Sequence, residues 1–149
     1  MKKFKVPLAR PYIPSNAINE IKKVLDSGYL TEGYITKKFE DAVAKYTGAK
    51  YAIAFSSCTT AMETALRALG IGKDEYERGD SLDCVIVPCY TYPATADVVH
   101  TVGAEPGFID VDPKTGNMNY DELEKSVYNS AKAVIVVSLF GNPVDYNRI

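Results

Sequence analysis

The sequence has no excess of positive charge: 17 Lys and Arg stand against 19 Asp and Glu, a formal net charge of -2. No basic field therefore draws the chain onto a polyanion, and nucleic acid is not an expected partner. It also lacks an apolar run of bilayer-spanning length and the apolar stretch of a secretory signal, so no membrane role and a cytoplasmic address are expected. The three cysteines, Cys58, Cys84 and Cys89, follow neither zinc nor redox spacing. Reduced thiols and no metal site follow from that. Missing too are the glycine-rich dinucleotide fingerprint and the lysine of a Walker-type loop, the two commonest phosphate motifs. The single histidine, His100, has Val98, Val99 and Val102 for neighbours, which favours a structural role over catalysis.

What is present is ordinary globular composition, 46% apolar and 24% charged over 149 residues, enough for one folded unit with its own core. Lys2, Lys3 and Lys5 read as a solvated tail. Ile18, Ile21, Val24 and Leu25 recur at helical spacing, with Ser15 or Asn16 as the cap and Gly28 as the stop. Ile35, Phe39, Val43 and Tyr46 mark a second helix ending at Gly48. From Tyr51 the pattern changes to strand, loop, helix. The run Tyr51-Ala52-Ile53-Ala54-Phe55 is followed by a helix carrying Met62, Ala65, Leu66 and Leu69. Val85-Ile86-Val87 precedes a helix over residues 94–102, and Phe108-Ile109-Asp110-Val111 precedes one around Leu123 and Val127, where Asn119 and Glu122 form a capping box. Ala133-Val134-Ile135-Val136-Val137 reads as a strand buried on both faces. Continuously apolar strands alternating with helices predict an α/β fold with a mostly parallel sheet and flanking helices. The polar segment 73–81 reads as a surface loop.

In such sheets ligands bind beyond the carboxyl ends of strands, where a helix start offers unpaired N–H groups to an anion. The turn Ser56-Ser57-Cys58-Thr59-Thr60-Ala61 combines small residues with four hydroxyls and would fit a phosphate, but taken in isolation it reads as an ordinary N-cap. In Pro88-Cys89-Tyr90-Thr91-Tyr92-Pro93, an aromatic before a helix is placed to stack on a flat ring. Tyr90 is expected to pack in the core instead. Asp110 and Asp112 read as a turn-forming acidic pair.

These residues resemble the DegT/DnrJ/EryC1/StrS sugar aminotransferases. The resemblance rests on Ser57-Cys58-Thr59-Thr60-Ala61-Met62, Ala68-Leu69-Gly70-Ile71-Gly72, Val85-Ile86-Val87-Pro88, Thr91-Tyr92-Pro93-Ala94-Thr95, Gly103-Ala104-Glu105-Pro106 and Phe108-Ile109-Asp110-Val111-Asp112, in that order. Leu25-Asp26-Ser27-Gly28-Tyr29-Leu30-Thr31, Phe39-Glu40, Tyr46-Thr47-Gly48 and Leu139-Phe140-Gly141-Asn142-Pro143-Val144-Asp145 extend it over nearly the whole chain.

The resemblance implies the large cofactor-binding domain of the aspartate aminotransferase fold, truncated. Residues 1–149 would be its N-terminal part, with a helical lead-in over 1–50 and alternating strands and helices over 51–149. It implies pyridoxal phosphate (PLP) as cofactor, with Ser57, Cys58 and Thr59 at the phosphate and Tyr92 on the pyridine ring. It also implies transfer of an amino group, usually from glutamate, to a nucleotide-linked keto sugar in polysaccharide or deoxyamino sugar biosynthesis. The family's Schiff-base lysine and ring-nitrogen acid match positions beyond Ile149, so no catalytic residue is assigned here and the chain alone is expected to be inactive. Lys132 matches no motif for that role. The expected partners are a second copy, as in the family's homodimers, or a complementary C-terminal polypeptide, either of which would cover the sheet edge and apolar face left open. The alternative is a non-catalytic relic or a binding domain for a phosphorylated ligand.

Overall fold

The computed structural model describes residues 10–72, 82–126 and 130–149. The expectations for Lys2, Lys3, Lys5, segment 73–81 and Val127 lie outside the described residues. The chain divides into two compact units, Met1–Ala54 and Phe55–Ile149.

The first unit carries the two expected helices, α1 (Ala17–Ser27) and α2 (Tyr34–Thr47). Each ends on a glycine in the left-handed region, Gly28 at φ 73° and Gly48 at φ 75°, a conformation that costs a side-chain-bearing residue but not glycine. Asn16 occupies the position before α1, but its side chain makes no capping bond. On α2, Glu40 is largely buried, and its carboxylate accepts the Ala54 N–H at 2.9 Å. That bond bears on the run 51–55, which is not a strand. Its Ala54 donor goes to a side chain rather than a ladder, and Tyr51 and Ile53 stand exposed. An apolar run becomes a strand only when a neighbouring backbone takes up its N–H and C=O groups, and none among the described residues does so here.

The second unit is the α/β part, in the order α3 (Cys58–Ala68), β1 (Cys84–Pro88), α4 (Ala94–Thr101), β2 (Glu105–Ile109), α5 (Tyr120–Lys125) and β3 (Ala133–Val134). The three strands form one parallel sheet in the order β2-β1-β3. The central strand explains why β1 reads as a continuous apolar run. Val85 and Val87 (both 0% exposed) pack with Leu66 of α3 and Val98 and Val99 of α4, while Ile86 points to the opposite face with Ile109, Met118 and Leu123 of α5. The alternation of side chains along a strand thus loads both faces, and each buried valine contributes roughly 2 kcal/mol.

The last strand is shorter than its sequence suggests. Pairing covers Ala133 and Val134, and a last ladder bond runs from Ile135 N–H to Ile86 O at 2.8 Å. Residues 133–137 are half-buried rather than buried on both faces, because β3 is an outer strand and the chain leaves the ladder after Ile135. It then enters a 3-10 turn, Leu139–Gly141, in which Phe140 holds φ 52°. Asn117 and Asn142 tie this segment down: Asn117 Nδ2 donates to the carbonyls of Asn142 and Pro143 at 3.3 and 3.1 Å, and Asn142 Nδ2 donates to Thr115 O at 3.0 Å. The cap of α5 is half of the expected box. Asn119 Oδ1 accepts the N–H groups of Asp121 and Glu122, while its own N–H donates to Asp110 O rather than to the Glu122 side chain.

Candidate functional site

The register of β1 and β2 brings Pro88 level with Ile109, so both strands end at one height and the turns beyond them start side by side. Directly past that edge lies an open cleft of about 490 Å³. Its walls come from three stretches: Cys58, Thr59 and Met62 at the start of α3; Thr91, Tyr92, Ala94 and Thr95 between β1 and α4; and residues 135–139 after β3. The cleft sits where strands of a parallel sheet release the chain, the place where such sheets bind ligands.

The α3 end of the cleft is built by Ser57. Its side chain accepts the Thr60 N–H at 3.2 Å, and its carbonyl accepts the Ala61 N–H at 3.1 Å. The first N–H groups of a helix have no acceptor within it. With Thr60 and Ala61 served, the amides of Cys58 and Thr59 are the ones left at the cleft wall, at the positive end of the helix dipole. Ser57 does not itself line the cleft; its oxygen is committed to the cap.

Tyr92 enters from the other wall and is 78% exposed, so its ring is uncovered. Of the four residues singled out in the sequence, the fold therefore gathers Cys58, Thr59 and Tyr92 on one cleft and puts Ser57 behind them as the cap. Tyr90, expected to pack in the core, is instead 55% exposed; it follows β1 by two residues, past the point where sheet and helices enclose a side chain. His100 is exposed on α4 and lines no part of the cleft.

Of the expected acidic pair, Asp112 forms a turn, whereas Asp110 lies in extended chain beside the bridge between Val111 and Met118. Asp112 Oδ1 accepts the Lys114 N–H and its carbonyl accepts those of Thr115 and Gly116. Asp110 Oδ1 accepts the Val111 N–H at 2.8 Å and the Cys89 thiol at 3.1 Å. These two donors hold the Asp110 carboxyl below the usual carboxylate range, and the same bond pushes the Cys89 thiol up. Burial raises the Cys84 thiol. Among the described residues no cluster of metal-ligating side chains occurs, and no helix is long and apolar enough to cross a membrane.

Two features of the site escaped the sequence. The wall formed by residues 135–139 was hidden in an apolar run that reads as strand. The hydroxyls of Thr91 and Thr95 lie 2.9 Å apart, and their spacing of four residues was a signal that went unused.

Among the described residues, no lysine and no carboxylate lines the cleft. The residues present suit a small ligand with an anionic tail at α3 and a flat ring at Tyr92. Among the described residues they provide no amine to form a Schiff base and no carboxylate to pair with a ring nitrogen.

A parallel α/β unit with a cleft at the carboxyl edge of its sheet is the class that the fold defines. The family follows from comparison: the chain belongs to the DegT/DnrJ/EryC1/StrS aminotransferase family, whose pattern matches residues 11–149. An uncharacterized protein of Methanocaldococcus jannaschii is 38% identical over 144 residues, 97% of this chain and 35% of that protein. The PLP form of a Streptococcus pneumoniae protein assigned as a sugar aminotransferase superposes with a TM-score of 0.84 at 35% identity, covering 97% of this chain and 35% of that one. The E. coli GDP-4-keto-6-deoxy-D-mannose-3-dehydratase with bound hydrated PLP gives 0.82 at 32% identity, covering 95% and 36%. The family is PLP-dependent, and this chain spans about a third of the length of these relatives.

Proposed function

We propose that this chain supplies the phosphate cradle and the ring platform of a PLP site, as part of an enzyme that transfers an amino group to a nucleotide-linked keto sugar. The observation that carries the reading is the gathering of the Cys58 and Thr59 amides and the Tyr92 ring on one cleft at the carboxyl edge of the sheet. When bound, PLP supplies the electron sink for moving an amino group. The chain's own residues bind and orient. Two helix-start amides and the Thr59 hydroxyl take the dianionic phosphate, Tyr92 lies on one face of the ring, and the apolar wall of residues 135–137 with Met62 keeps water from the rest.

The covalent lysine and the acid for the ring nitrogen come, on this reading, from polypeptide outside the cleft walls, in a complementary C-terminal portion. The chain by itself is then inactive, and the assembled enzyme is a cytoplasmic homodimer in the synthesis of amino sugars or of polysaccharides that contain them. The likeness to a PLP-binding dehydratase makes removal of a hydroxyl group the competing reaction at the same kind of site.

Pyridoxamine phosphate tests the cradle, because it lacks the aldehyde that would react with any surface lysine. Its fluorescence on titration is expected to report saturable binding that is competed by inorganic phosphate and weakened by Thr59→Ala and Tyr92→Ala. Binding that is indifferent to both substitutions sinks the reading. The lining of the cleft, without lysine or carboxylate among the described residues, favours a second reading, a binding domain for a phosphorylated ligand without turnover. Addition of a complementary C-terminal portion separates the two: amino transfer on mixing supports the enzyme, and its absence supports the binding domain.

A further inference from the structure

Tyr92 gains almost nothing from packing. With 78% of its surface exposed, the position of the ring is set by the backbone that carries it. That backbone is tied on both sides. The Tyr92 carbonyl accepts the Thr95 N–H at 2.9 Å, Pro93 sets φ at -51° at the head of α4, and the Thr91 and Thr95 hydroxyls meet at 2.9 Å across the three residues between them. Thr95 is 5% exposed, on the turn of α4 that continues into Val98 and Val99. It is anchored in the core and holds the Thr91 end of the loop to it.

The geometry also shows what these hydroxyls are not doing. A threonine just ahead of a helix ordinarily caps a backbone N–H, yet α4 has no side-chain cap at all. The Thr91 oxygen meets another side chain instead. An exposed aromatic that must present one face to a ligand loses less freedom on binding when its backbone is fixed beforehand.

We infer that the Thr91–Thr95 hydroxyl pair is a staple that positions Tyr92 for stacking, and that both threonines are positioning residues for the ligand in the cleft. The inference rests on the reading of Tyr92 as the ring platform. It acts through order rather than contact, so it is separable from that reading by experiment.

Thr95→Val keeps the shape and removes the hydroxyl; Thr95→Ser keeps the hydroxyl; Thr91→Val removes the other half from a less buried position. In the unliganded chain, the 15N heteronuclear NOE of the Tyr92 amide is expected to fall in both valine variants and return in Thr95→Ser, with the NOE values of α3 unchanged. Pyridoxamine phosphate affinity is expected to drop about threefold to tenfold in each valine variant, and to drop no further when either is combined with Tyr92→Ala. An unchanged Tyr92 NOE in both valine variants overturns the staple, as does a loss of affinity that persists in full in the Tyr92→Ala background. If Tyr92→Ala alone leaves affinity intact while the valine variants loosen the amide, the staple stands and the stacking reading is the part that fails.

Discussion

The Cys89 thiol donates to Asp110 Oδ1 at 3.1 Å, joining the residues that follow β1 and β2 at the edge where the sheet ends. The bond favours the protonated thiol and the ionised carboxylate. The Asp110 contribution is therefore present above its unfolded pKa and lost as pH falls through its lowered folded value. The Cys89 contribution is present below the ordinary thiol range and lost as pH rises through its raised folded value. Both groups face solvent, so reactivity rather than stability is the measurement of choice. In Asp110→Asn, alkylation of Cys89 followed by peptide mass spectrometry is expected to begin at lower pH than in the parent chain. Cys84, raised chiefly by burial, serves as the internal control and should not move. A Cys89 profile that does not shift contradicts the pairing.

Ser57 and Thr59 are separable by what they lose. Ser57 Oγ caps α3, so Ser57→Ala is expected to cost about 1 kcal/mol in urea unfolding. Thr59 is exposed on the cleft wall, so Thr59→Ala should leave unfolding within about 0.5 kcal/mol of the parent and weaken pyridoxamine phosphate instead. The reverse pattern would mean that Ser57 is the ligand and Thr59 the structural residue.

Gly72 holds φ 91°, and a Cβ built on it would stand 1.9 Å from the Val102 carbonyl oxygen. Backbone against backbone cannot yield as a flexible side chain would. Gly72→Ala is expected to destabilise the second unit by at least about 2 kcal/mol, measured by thermal or urea denaturation; a neutral result would show that this approach relaxes freely.

Asn117 is 4% exposed, gives its amide hydrogens to two carbonyls of the segment after β3, and leaves its Oδ1 without a partner among the described residues. Asn117→Ala removes the donors from the carbonyls of Asn142 and Pro143, at a cost of about 1 kcal/mol. Limited proteolysis is expected to open the chain near Leu139–Gly141 first, since Asn117 anchors Asn142 and Pro143 just beyond that turn. Unaltered cleavage there would show that the turn is held by other means.

Much of this molecule is legible in its residues. Val85-Ile86-Val87 reads as a strand, and in the structure it is the centre of the sheet, covered on both faces. Gly28 and Gly48 stop their helices at the expected places because each stop needs a positive φ that glycine alone adopts freely. Cys58, Thr59 and Tyr92 are singled out by the family resemblance, with which a hydroxyl-rich helix start and an aromatic after a strand agree. Two apolar runs were misleading in the same way. Tyr51-Ala52-Ile53-Ala54-Phe55 finds no ladder, and Ala133-Val134-Ile135-Val136-Val137 leaves its ladder early to wall the cleft.

The sequence alone settled the α/β class, the helix stops and the family, since each is written in neighbouring residues or in blocks kept in order. Tertiary structure decided which apolar runs pair, that Tyr90 stands in solvent, and that Thr91 reaches Thr95 rather than capping α4. The physical reason is where the partner lies. A helix closes its hydrogen bonds within a few residues of itself, whereas the fate of an extended segment depends on what distant piece of chain arrives beside it.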